Sequence, residues 1–140
     1  MATVFSRIIA GELPGTFVWR DDRCVAFLSI NPTADGHTLV VPIEEVDHWI
    51  DCDEELADHL FRVAQIIGRA QQQAFACERV GLIIAGFEVP HTHLHLIPST
   101  NMGDLSVANA RASISKEELA AAADRIRAAL RAMGRAEVSG

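Results

Sequence analysis

The sequence predicts an α+β domain, with a central antiparallel sheet of about five strands, a long central helix and a C-terminal helix. Three observations carry this. Runs rich in β-branched and aromatic residues cluster in the first third and again over 80–97. One segment of helical apolar period lies between them, and another follows residue 115. The 140 residues fit one domain, and 49% hydrophobic residues supply its core without disulfides. We assign 1–134 to the domain and 135–140 to a flexible tail.

In order, "VFSRIIAGELP" reads as a short helix closed by Gly11 and Pro14. "TFVWR" and "CVAFLSI" read as two strands of a hairpin turning at Asp21-Asp22, and "NPTADG" as a loop of turn residues. "HTLVVP" is a third strand, ended by its proline. From Asp53 to Ala76 the apolar positions Leu56, Leu60, Val63, Ile67, Ala70 and Ala74 recur at gaps of three and four, the mark of an amphipathic helix. Glu54 and Glu55 suit its positive N-terminal end, and His59 falls on its exposed side. "VGLIIAGF" reads as a buried strand, "HTHLHLIP" as the next, and 99–113 as a loop. Ser115 and Glu118 form a capping box for a last helix, which carries Leu119, Ala123, Ile126, Leu130 and Met133 on one face and ends at Gly134.

A net charge of −7 argues against nucleic acid or an anionic membrane as partner. No apolar run reaches the roughly 20 residues of a membrane span. The N-terminal stretch lacks the apolar core of a signal peptide. Cys24, Cys52 and Cys77 form no CxxC pair; free thiols in a reducing cytoplasm are the expectation.

The chemistry concentrates in "HTHLHLIP". Alternation sends His91, His93 and His95 to one face, each roughly 6.6–7 Å from the next, and Thr92, Leu94 and Leu96 to the other, which suits a core. Two such histidines can share a zinc, but His37, His48 and His59, the other candidate ligands, lie in separate segments. Alternatively, a histidine with one ring nitrogen free and the other held by an acceptor is a nucleophile towards phosphorus, its neighbours acting as donors. Gly86, shortly before, would let a backbone approach a phosphate. The third possibility is that three exposed histidines merely alternate.

His91-Thr-His93-Leu-His95-Leu-Ile97 resembles the signature of the histidine triad (HIT) superfamily. The opening over 4–42, with its short helix, "DD" turn, "NP" loop and "GH" strand start, is similar too. The resemblance spans about residues 4–98. It implies a HIT-like fold, a homodimer and no cofactor. It also implies hydrolysis at the α-phosphate of a purine nucleotide substrate, either a dinucleoside polyphosphate or a nucleoside phosphoramidate. The route it implies is a nucleotidyl-histidine on His93. His95 would contact phosphate, His91 would order the site, and His37 would support the triad. Val4, Phe5, Ile8, Phe27 and Ile30 would line the nucleoside pocket, and Ser29 would reach the ribose. Gly86, Phe87 and Glu88 would form the phosphate loop. Phe61, beside the apolar face of the long helix, would meet the partner subunit.

Three departures follow from the comparison with that family pattern. Thr3 and Ser6 stand where some members carry a zinc-binding Cys-x-x-Cys, so that metal site is expected to be absent, and His48 is left as a surface histidine or a remnant of it. Ser29 stands for an Asp or Asn. The phosphate loop, usually Gly-Gln-Ser/Thr with an upstream Asn, has Phe87 and Glu88 after its glycine and Val80 at the Asn position. A zinc-dependent hydrolase with the triad as ligands, and a nucleotide-binding module with weakened catalysis, are the alternative readings.

Overall fold

The computed structural model describes residues 2–140. Its elements are α1 (Val4–Ile9), β1 (Phe17–Arg20), β2 (Cys24–Leu28), β3 (Thr38–Pro42), α2 (Glu54–Ala74), β4 (Arg79–Ile83), β5 (Leu94–Ser99) and α3 (Lys116–Ala132). All strand pairs are antiparallel, and the sheet order is β1-β2-β3-β5-β4.

The period-2 pattern divides the sheet's faces. Ala26, Leu28, Val40, Leu94 and Leu96 pack against α2 and α3 in the main core. Leu56, Ile67, Ile126 and Leu130 are fully buried there, each contributing about 1.5–3 kcal/mol relative to exposure. The opposite face carries the register row Phe17, Phe27, Leu39, His95 and Ile83. Val25, Phe27, Leu39 and Val41 bury Phe5 of α1 there. Asp53 caps α2 and Ser115 caps α3, each side chain accepting the N–H three residues on. Gly134, at φ 78°, ends α3.

Several expectations are corrected. "VGLIIAGF" is not a buried strand: β4 stops at Ile83, and Leu82 is 40% exposed. It sits at the sheet's edge, with β5 its only strand neighbour. The histidine strand begins at Leu94, not His91, because pairing with β3 ends at Val40–Leu94. The preceding Thr92 is held instead by its N–H and hydroxyl, both donating to Val46 O at 2.7 Å. The stretch 99–113 contains two 3-10 turns, Met102–Leu105 and Val107–Asn109. Residues 135–140, expected as a flexible tail, follow the free side of β1. Arg20 N–H donates to Glu137 O, Ser139 N–H donates to Val18 O, and Arg127 holds Ser139 O. This supplies partners to an edge strand. His59 is paired rather than exposed, its Nε2 lying 2.8 Å from Asp21 Oδ2.

Candidate active site

Pro42 ends β3, yet its carbonyl does not go unpaired: His91 Nε2–H donates to it at 2.7 Å. A carbonyl only accepts, so Nε2 carries the proton and Nδ1 is the acceptor. Nδ1 takes the Thr3 hydroxyl at 2.7 Å, and the same Thr3 oxygen accepts Ser6 N–H at 3.0 Å as the cap of α1. One hydroxyl thus starts a helix and fixes an imidazole tautomer. Burial holds His91 below the ordinary histidine range, hence neutral.

His93 Nδ1–H donates to His91 O at 2.7 Å. In the neutral ring the lone pair is then on Nε2, which has no partner among the described residues, the state a nucleophilic imidazole needs. Phe5 meets the His93 ring edge-on at 4.9 Å between centroids and limits its rotation.

A second relay fixes His95. The Thr33 N–H donates to His37 Nδ1 at 3.1 Å, so the His37 proton lies on Nε2. That N–H donates to His95 Nδ1 at 3.0 Å. The His95 proton is therefore on Nε2, a donor with no partner among the described residues. The His93 and His95 rings lie 4.9 Å apart. A lone pair and an N–H donor stand side by side, the pairing that attack on a phosphorus bearing anionic oxygens requires.

His93 borders a cleft of about 260 Å³, with Gly86, Phe87, Asp47, His48 and Trp49 among its lining residues. Gly86 has a φ of 86°, and Phe87 is 97% exposed. Glu88 is exposed. Phe27 and Phe5 are buried beside the triad, with Ile8 packed against them. Val4 and Ile30 present exposed apolar surface. The Ser29 hydroxyl accepts Asn31 N–H at 3.2 Å within its own loop. His48 is a surface histidine, as expected, but it borders the cleft.

Sequence reasoning missed three contributors. Thr3 was read only as a lost cysteine. Thr33 acts through its backbone. Asn31 donates to Arg111 O and Ala112 O, tying the "NP" loop to the segment before α3. The asparagine of an "NP" pair was the available signal for the last.

Thr3 and Ser6 do not fit zinc. Both offer neutral hydroxyls where zinc prefers thiolate or imidazole, and the Thr3 oxygen is already engaged. Among the described residues one other cluster, Asp21, Cys24 and His59, gathers ligand-type atoms within 4.8 Å. Its carboxylate already accepts from Trp19 Nε1 and from the N–H groups of Arg23 and Cys24.

The relay makes folding pH-dependent. Burial lowers His37 from 6.5 to about 3, with His95 adding to the effect. Burial, then His93, lowers His95 from 6.5 to about 4. The unfolded chain binds these protons near 6.5 and the folded chain does not, so stability falls as pH falls below that point. By pH 4 the loss for the coupled pair is on the order of 3 kcal/mol. Urea unfolding at pH 7 and pH 4.5 measures it; equal stability at both would contradict the buried neutral relay.

The HIT domain family model matches residues 10–102. The chain is 32% identical over 109 residues to the purine nucleoside phosphoramidase of Escherichia coli, covering 74% of this chain and 92% of that protein. It is 36% identical over 108 residues to Protein hit of Bacillus subtilis, covering 72% and 73% respectively. A zinc-bound histidine triad family protein from Mycobacterium smegmatis superposes with a TM-score of 0.81 at 26% identity, covering 96% of each chain.

Proposed function

This chain belongs to the HIT family, and we propose that it hydrolyses a phosphorus-linked nucleotide bond at the α-phosphate through a nucleotidyl-histidine on His93. The observation that carries this is the hydrogen-bond order of the two relays, which leaves a lone pair on His93 Nε2 beside the His95 Nε2–H. His93 Nε2 attacks phosphorus, and the bond to the leaving group breaks with its electron pair. The leaving atom takes a proton from solvent. Water then attacks the phosphorus, the P–N bond returns its pair to His93, and the water's proton is released. His95 Nε2–H stabilises the oxygen charge in both steps. The nucleoside packs against Val4, Phe5, Ile8, Phe27 and Ile30, with Ser29 at the ribose.

The cleft favours a nucleoside phosphoramidate over a dinucleoside polyphosphate. Among the described residues its lining includes the Asp47 carboxylate and no Lys or Arg to receive a polyphosphate leaving group, whereas a departing amine is neutral or cationic. The similarity to a purine nucleoside phosphoramidase points the same way. The protein functions as a homodimer in this reading, supported by Phe61, 63% exposed on α2, and the open β4 edge; sedimentation at micromolar concentration reads this.

The test is a substrate panel with and without chelator. Adenosine phosphoramidate should exceed diadenosine tetraphosphate in kcat/KM by about tenfold or more, one charge repulsion of ~1–4 kcal/mol sufficing. Chelation should change nothing. The opposite preference would overturn the substrate assignment, and loss of activity on chelation would overturn the histidine nucleophile.

A further inference from the structure

Gln71 sits on α2 with no exposed surface. Its Nε2 donates to Gly36 O and to Leu96 O, both at 3.0 Å. Gly36 precedes His37, and Leu96 follows His95, the two imidazoles that meet at 3.0 Å. A single amide therefore ties together, from the helix-covered side of the sheet, the two backbone segments that carry the relay.

The Gly36 corner is built to receive it. Gly36 has a φ of +83°, and any Cβ there would run into the Phe75 ring. Its carbonyl also accepts the Thr38 hydroxyl at 2.8 Å. Gln71 is a poor choice for stability alone. Its Oε1 is buried without a partner among the described residues, an expense that methionine or leucine would avoid.

We infer that Gln71 is a positioning residue, its amide setting the separation of His37 from His95 and so holding the His95 Nε2–H on the substrate oxygen. The aiming role rests on the proposed reaction; the hold on the pair does not. The titratable groups bearing on the two imidazoles are each other and His93. The neighbouring loop carboxylate, Asp35, acts on Arg111. On the sheet His95 is flanked by Leu39 of β3 and Ile83 of β4, and the neutral Gln71 amide of α2 reaches the Gly36 and Leu96 carbonyls rather than either ring.

The test uses Gln71→Met, which keeps the length and removes the donors, with Gln71→Glu as a second variant of the same shape. In Gln71→Met, kcat should fall about tenfold with KM nearly unchanged and only a modest drop in melting temperature, the lost hydrogen bonds being partly offset by removal of the unpaired Oε1. In a His37→Asn background the same change should cost less than twofold, because the amide acts through His37. Nitrogen-15 NMR of the free proteins, wild type beside variant, should show His95 titrating at higher pH in either variant than in wild type, with its two tautomers mixed. An unchanged His95 titration, or an equal loss of kcat in both backgrounds, would overturn the inference. The NMR result needs no substrate, so it stands or falls separately from the reaction, which His93→Ala tests.

Discussion

Replacing His93 by alanine should cut turnover by about 10⁴-fold or more, because the proposed two-step route through a covalent intermediate would be lost. Nucleotide affinity stays within a few-fold, since the apolar pocket and the His95 donor remain. The fold also survives: His91, whose carbonyl orients His93, keeps its own bonds to Thr3 and Pro42. Steady-state kinetics with a nucleoside phosphoramidate, beside calorimetric titration of AMP, separate the two effects. Near-normal kcat in the variant would refute the nucleophile assignment.

The second large effect is at His95. His95→Phe removes the Nε2–H that, in the proposed reaction, faces the developing oxygen charge, and should cost roughly 10²–10³ in kcat. It also strands the buried His37 Nε2–H, which has His95 Nδ1 as its acceptor, at a cost of about 1–3 kcal/mol of stability. The combined change His37→Leu, His95→Phe removes both partners. It should recover part of that stability and none of the activity. Urea unfolding alongside kcat reads both; activity that returned with stability would mean that His95 serves only the fold.

Much of this was legible because it obeys a short period. The gaps of three and four from Leu56 to Ala74 mark α2, and alternation along β5 puts Leu94 and Leu96 in the core with His95 on the opposite face. What escaped was long-range or carried by the backbone. Thr3 meets His91 across 88 positions, and no pattern within either segment announces the contact. The Thr33 N–H that sets the His37 tautomer has no side-chain signature. The start of β5 was misplaced because alternation continues through His91 to His93, while the ladder partner ends at a proline. Gln71 left a usable trace. It stands four residues after Ile67, on the buried side of α2, and a polar residue at a core position demands a partner. As one of three successive glutamines, however, it looks like part of a solvated run.

The central claim is that His93 Nε2 bonds to phosphorus during turnover. It is tested most directly by mixing the protein in excess with a nucleoside phosphoramidate, quenching into base over the first turnover, and taking intact masses. A species heavier by one nucleotidyl group should rise and decay before product is complete, and peptide mapping should place the group on His93. Product formation through a full turnover with no such adduct, or with the adduct on another residue, would contradict the account.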